Sequence, residues 1–299
     1  MNKQILQPNS HLKLGSVRRG TALALPLRTL LLFLLIQLLT FNFQLSTASA
    51  QCGITNTAFQ SGEYLSYDLY FNWQFVWVKV GTASMSTVKS RYKGQDAYRS
   101  SLITRGNSKL DNVFVMRDTL LTYSTLDLAP LYHRKGAEEG DRYYVDELWY
   151  TYPNGQCHLR QHELTSSGKH NWKNTDPGKC VYDMMSIYLR ARNFDAASLK
   201  KGQKITLPIA NGHKLQDTWL IYQGKETIQM KNNSTKYRCL VMSFYEREDG
   251  ESKEIIRFFV TDDANHIPVR LDMFLKFGSA KAYLTGMKGI RSPLTSKVN

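Results

Sequence analysis

From Leu65 onward every second residue is apolar: Leu65, Tyr67, Leu69, Phe71, Trp73, Phe75 and Trp77, with Ser66, Asp68, Asn72 and Gln74 between them. A helix rotates each residue about 100° from the last, so seven successive matches to a period of two cannot share one helix face. A pleated strand puts all of them on one side. The segment is therefore half-buried β-structure. Past Trp77 the phase inverts, and Val76, Val78 and Val80 become the apolar set around Lys79. That inversion predicts a bulge or bend, with Gly81 easing the backbone just beyond it.

The same period closes the chain. Ile267, Val269, Leu271, Met273 and Leu275 alternate with Pro268, Arg270, Asp272 and Phe274, and after Lys276-Phe277-Gly278-Ser279 the residues Ala280, Ala282 and Leu284 alternate with Lys281 and Tyr283. This reads as a hairpin, with Pro268 where a strand begins or lies at an edge. Asn154-Gly155, Asn211-Gly212 and Asp249-Gly250 separate other strand-like runs and supply the positive φ that tight reversals need. A mainly β chain with a mainly antiparallel sheet follows.

One stretch departs from this pattern. After Asp176-Pro177-Gly178, the residues Cys180, Met184, Ile187, Ala191 and Phe194 recur at spacings of four and three, with Asp183, Ser186, Arg190 and Asn193 on another face. The spacing predicts a central amphipathic helix over 180–194, its acid early and Arg190 and Arg192 late, lying over the sheet. A shorter helical turn is expected within Ser108 to Val115. No long linker or repeat interrupts the chain beyond residue 50. Residues 51–299 read as a single β-rich domain, or as two tightly joined β-lobes around the helix.

The first 50 residues have another character. Lys3, Lys13, Arg18, Arg19 and Arg28 precede an apolar stretch from Leu30 to Leu39, and Ser46-Thr47-Ala48-Ser49-Ala50 follows. A basic start, a short apolar middle and a small-residue exit are the parts of a secretory signal, expected to be cleaved near Ala50. The apolar stretch falls short of the ~20 residues that span a bilayer. Gln51 before Cys52 is not the small residue that a lipoprotein signal carries there. The expected location is periplasmic or otherwise envelope-associated.

Charge and cysteine usage fit that compartment. The chain has 39 basic and 25 acidic residues; without the five basic residues of the signal, 34 against 25 leaves +9. Such a surface favours anionic partners such as lipid head groups or acidic glycans, or is simply a solvated basic surface. Nothing in the sequence resembles a nucleic-acid recognition motif, and nucleic acid is not expected as a partner. All four cysteines, Cys52, Cys157, Cys180 and Cys239, lie beyond the signal, an even count that argues for disulfides. Cys157–Cys180 is the first expectation, being closest in sequence, which leaves Cys52–Cys239.

Several segments form an ordered set: Gly62-Glu63-Tyr64-Leu65-Ser66-Tyr67, then Asp183-x-x-Ser186-x-Tyr188-Leu189-Arg190, then Asp262-Asp263-Ala264 leading to Ile267-Pro268-Val269, and last Gly278-x-Ala280-x-Ala282-x-Leu284. Their order and spacing resemble an exported bacterial family known as domain of unknown function 3108, over essentially the whole chain beyond the signal. The resemblance implies an envelope protein with a curved, half-barrel-like antiparallel fold. It brings no catalytic residues with it.

Catalytic motifs are mostly missing. There is no G-x-S-x-G, phosphate-binding loop or dinucleotide fingerprint, and no cofactor is expected. His162-Glu163-Leu164-Thr165-Ser166 opens like a zinc-protease helix but lacks the second histidine. Cys157, His158, His162, His170 and Cys180 could be read as zinc ligands. On a strand, however, Cys157 points away from His158 and His162, so a disulfide and surface histidines account for the cluster and no metal is expected. Asp183, Ser186 and Arg190 could hold a polar group of a ligand, or fasten the helix to the sheet. Trp73, Phe75 and Trp77 could line a cavity for an apolar ligand, or simply build core. The expected function is a non-catalytic binding or carrier module for a lipid, another apolar ligand or an envelope component. A structural or assembly partner of an envelope protein, docking by strand edges, is the alternative, and an unrecognised hydrolase using His162, Asp183 or Arg190 is third.

Overall fold

A computed structural model describes residues 52–73, 76–110, 115–231, 234–248, 250–275 and 278–298. The expected signal peptide, Phe75, residues 111–114 of the expected 108–115 turn, Asp249, and Lys276-Phe277 lie outside the described residues, and Ser108–Leu110 forms a single 3-10 turn.

Eight strands follow one another as a meander: β1 (Glu63–Trp73), β2 (Val76–Tyr92), β3 (Gln95–Gly106), β4 (Met116–Ser124), β5 (Pro130–Glu139), β6 (Arg142–Thr151), β7 (His158–Leu164) and β8 (His170–Thr175). A connector then carries helix α1 (Met184–Ala191), the short strand β9 (Lys204–Thr206) and a small hairpin of β10 (Ile209–Asn211) and β11 (Lys214–Gln216). A second meander comprises β12 (Thr218–Gln229), β13 (Lys236–Glu248), β14 (Glu251–Thr261), β15 (Pro268–Leu275) and β16 (Gly278–Lys288), and β17 (Lys297–Val298) adds to β13. The sheet runs from β8 through to β1, then β16 back to β12 and β9, every pair antiparallel. It is a large, open, curved sheet that does not close into a barrel. Because β8 and β9 are its two edges, the connector carries the chain from one edge to the other.

The alternating run from Leu65 to Trp77 spans a reversal. Trp73 pairs with Val76 and Phe71 with Val78, so the two valines share the face of Phe71, while Trp77 pairs with Asn72 on the opposite one. A hairpin therefore accounts for the inverted phase. A bulge exists as well, at Val80, where the partner of Leu69 is Gly81 and that of Tyr70 is Lys79. A Cβ on Gly81 would stand 2.3 Å from the Arg105 carbonyl oxygen, so the close approach of β3 at this bulge requires glycine. At the β6–β7 connection Asn154 and Gly155 both have positive φ, 53° and 75°.

The helix is shorter than its periodicity suggests. Asp183 caps it and eight residues are helical, whereas Tyr182 is extended and bridges to Ile209. Tyr182 N–H donates to Pro208 O at 2.9 Å and Ala210 N–H to Tyr182 O at 2.8 Å. Burial recurs through 180–194, but before Asp183 an extended backbone provides it. On one side Ile187 joins Leu220, Leu240, Met242 and Phe244 of β12 and β13; on the other Leu189 joins Ala58, Phe59, Tyr98 and Leu128. A third cluster lies where Leu65 and Tyr67 of β1 meet Val269 and Leu284.

The disulfide expectation is corrected. Cys52 bonds Cys180, while Cys157 and Cys239 are free and buried. The helix explains the choice, because its polar line fastens the segment that carries Cys52. Arg190 Nη1 donates to Cys52 O and Gly53 O, both at 3.2 Å. Asn193 Oδ1 accepts from Thr57 N–H at 2.6 Å and Ala58 N–H at 3.0 Å. Cys180, just before the helix, meets the docked segment. Cys239 sits at 0 % exposure in a different cluster, with Ile228, Tyr237 and Val241.

Candidate functional site

Antiparallel partners point to the same side of a sheet, and residues i and i+1 to opposite sides. In β4 to β7 this sorts two lines of residues. Thr122, His133, Leu148 and Gln161 lie on the helix side and are buried. Their neighbours Tyr123, Tyr132, Trp149 and Arg160 are register partners on the outer side, and the line extends to Arg99 on β3 and Asn174 on β8.

The helix side spends its polar groups internally. Asp183 is fully buried and accepts from Thr122 Oγ1 at 2.8 Å, Ser186 N–H at 2.9 Å and Ser186 Oγ at 2.6 Å, with His133 Nδ1 3.1 Å away. Burial alone would raise its carboxyl pKa; His133 and the Ser186 donors outweigh it and hold the pKa below the ordinary value. Burial, and then the Asp183 charge, push the Tyr150 phenol well up. Arg190 lies over the Tyr182 ring as well as on the backbone of Cys52 and Gly53. Arg192 and Glu63 form a buried pair, at 2.5 and 2.9 Å, and Arg192 also reaches Asn265 O. Asp183, Ser186 and Arg190 thus come together around α1, each bonded within the fold. Asp263 completes a turn, accepting from Thr261 Oγ1 and Asn265 N–H, each at 3.0 Å.

Of the aromatic residues singled out in the sequence, Trp73 ends β1 and Trp77 is half-buried with Lys281 Nζ 4.6 Å from its ring centroid. The larger aromatic assembly lies elsewhere. On the outer face the rings of Tyr92, Tyr123, Tyr132, Trp149 and Trp172 form a continuous row, with successive centroids 5.1, 6.4, 5.5 and 5.7 Å apart. The first four are half-buried, and Trp172 is 52 % exposed. His162 stacks on Trp172 at 4.2 Å, and the Arg160 guanidinium lies 4.5 Å from the same ring.

Hydrogen bonds fix this face. Tyr132 OH donates to Glu147 Oε1 at 2.5 Å; His162 Nδ1 lies 2.9 Å from Glu147 Oε2, and its Nε2 lies 2.9 Å from His170 Nδ1. Burial, followed by the bond to Glu147, pushes the Tyr132 phenol far up, so it stays a donor. An open groove of about 440 Å3 adjoins the row, lined among others by Lys93, Trp149, His158, Arg160, Asn174 and Asp176. His158 is paired with Asp176. Cys157, buried on the helix side, is separated by the sheet from His162 and His170. Among the described residues no group of three or more His, Cys, Asp or Glu side chains is placed to hold a metal ion.

Sequence reasoning picked out His158, His162 and His170 here but missed the aromatic row. One ring comes from each of five strands, so no window of the sequence contains it. Trp149 between the buried Leu148 and Tyr150 is its single local trace.

A family model described as protein of unknown function (DUF3108) matches residues 66–285. No curated protein matches the chain. Among solved structures, a beta-barrel-like protein of domain of unknown function DUF1849 from Brucella abortus is similar at 15% identity and TM-score 0.50, covering 79% of this chain and 100% of that one. A protein from Bacteroides fragilis, provisionally described as exported and of YmcC-like fold, aligns at 8% identity and TM-score 0.31, covering 79% of this chain and 100% of its own. One from Parabacteroides distasonis, provisionally described as a lipoprotein, aligns at 11% identity and TM-score 0.34, covering 79% and 99%.

Proposed function

The chain belongs to the family of proteins of unknown function DUF3108, and on that premise we propose that it is an exported, non-catalytic binding or carrier module of the cell envelope, with its ligand on the outer face of β4–β8. The aromatic row carries this reading. Large rings left half-exposed on rigid strands, in contact with one another and beside a groove, mark an interaction site. The polar residues around α1 support it by contrast, since their hydrogen-bonding capacity is taken up in holding the fold. Export is supported by the charge and hydropathy pattern of residues 1–50, and by the Cys52–Cys180 bridge, which suits an oxidising compartment.

The test is a fluorescence titration of the mature protein with extracts of its own envelope, separated into lipid, polysaccharide and protein. One fraction is expected to change the tryptophan emission, and Trp172→Ala to abolish that change with the fold intact by circular dichroism. No response to any fraction, or a response that survives both Trp172→Ala and Tyr132→Ala, overturns the reading.

A further inference from the structure

We propose that the outer face of β4–β8 binds an acidic polysaccharide, its sugar rings lying along Tyr123, Tyr132, Trp149 and Trp172 and its acidic groups pairing with Lys93, Arg99 and Arg160. This rests on the binding reading of the same face and narrows it to one class of ligand.

Three observations favour that class. The first is shape. The row crosses strands β4 to β8, a span of roughly 19 Å at the usual strand spacing, so it suits an extended chain better than a compact molecule. Its rings follow one another at 5.5 to 6.4 Å, comparable with the length of one pyranose unit. A sugar offers an apolar face of C–H groups to an aromatic ring and hydroxyls at its rim, and this surface alternates in the same way. Beside the rings stand the exposed His170 and Asn174, groups that exchange hydrogen bonds with hydroxyls.

The second is charge. Lys93 Nζ lies 5.5 Å from the Tyr92 ring, Arg99 is the register partner of Tyr123, and Arg160 is that of Trp149. None of the three is in an ion pair among the described residues. The nearby acids are already engaged, Glu147 with Tyr132 and His162, Asp176 with His158. Three cations against these two carboxylates leave the row net positive.

The third is composition. The outward positions of these strands hold Tyr123, Tyr132, Trp149, Arg160, Trp172 and Asn174. A surface that inserts into a bilayer presents a continuous apolar face, whereas here Arg99, Arg160 and Asn174 share the register of the rings. Arg160 lies over Trp149 and Trp172, the last two rings of the row, so a cation rests on the rings themselves.

The experiment is isothermal titration of the full mature protein with alginate oligosaccharides (chains of uronic acids), dextran oligosaccharides of equal length, and phosphatidylglycerol vesicles. Alginate is expected to bind, with affinity falling as salt rises. Trp149→Ala and Trp172→Ala should each weaken it about tenfold, the scale of one lost aromatic contact. Replacing Lys93, Arg99 and Arg160 together by Gln should remove most of the salt dependence. Alginate binding that is absent, that survives both tryptophan variants, or that dextran equals overturns the proposal. Vesicle binding sensitive to Trp172→Ala overturns it too. A protein that answers to a lipid or protein fraction in the emission titration, but to no polysaccharide, keeps the binding face and loses this ligand.

Discussion

Replacing Cys52 and Cys180 together by Ser should destabilise the protein without undocking the segment that the bridge anchors. The bonded cysteines are 128 residues apart. In the chain-entropy account, opening a loop of that length frees the unfolded ensemble by about 5 kcal/mol at 25 °C. Total stability is commonly 5–15 kcal/mol, so this is a large share of it. The native side changes little, because residues 52–58 stay held by Arg190, by Asn193, and by Ile54 N–H donating to Asp127 O at 2.6 Å. Urea unfolding of the oxidised protein and of the double variant, followed by circular dichroism, gives the difference. The expected loss approaches the entropic figure, and a slightly steeper dependence on urea should accompany it as the unfolded chain expands. A loss below about 1 kcal/mol with an unchanged slope would refute the reasoning. So would peptide mapping that finds Cys180 joined to Cys157.

The buried pair of Glu63 and Arg192, 3 % and 2 % exposed, predicts that Glu63→Gln costs about 3–5 kcal/mol in a denaturant melt, since it strands a guanidinium away from water; a cost under about 1 kcal/mol counts against the pairing. Asp118 has its carboxyl raised to about 6, by burial first and then by Glu139. The folded protein therefore holds this proton where the unfolded chain has lost it, so stability falls as pH rises from about 4 to about 6. Asp118→Asn should remove that fall, raising the melting temperature at pH 7.5 but not at pH 4, and parallel profiles for the two proteins would dismiss the assignment.

The sheet was legible because its signal is local. Alternation in Leu65–Phe71 and in Ile267–Leu275, and the Asn-Gly reversals, depend on neighbours one or two residues apart. Where the reading slipped, the deciding contact was remote. A hairpin between Trp73 and Val76 inverts the apolar phase much as a bulge would, and only pairing with Asn72 shows that Trp77 has changed sides. Cys180 looked helical because burial continued through it, yet Tyr182 is held extended by Pro208 and Ala210. Proximity in sequence favoured Cys157 as its partner, whereas Arg190 and Asn193 bring the N-terminal segment to Cys180 instead. The aromatic row needed the register of five strands at once.

That register also separates stability from binding. Four residues of this face sit next to one that the helix side buries: Tyr123 beside Thr122, Tyr132 beside His133, Trp149 beside Leu148, Arg160 beside Leu159. The buried neighbour fixes the backbone, so the outer ring is placed rigidly without itself supplying the core. Pre-placed rings spare a ligand the entropic cost of ordering them. The same arrangement lets outer side chains change with little penalty, because truncating an exposed ring such as Trp172 opens no cavity. Changes at Thr122, His133 or Asp183 act on the opposite side of the same strands and strike the buried hydrogen bonds that seat the helix. Variants on the two faces should therefore fall into two groups, one altering binding at constant stability and the other altering both.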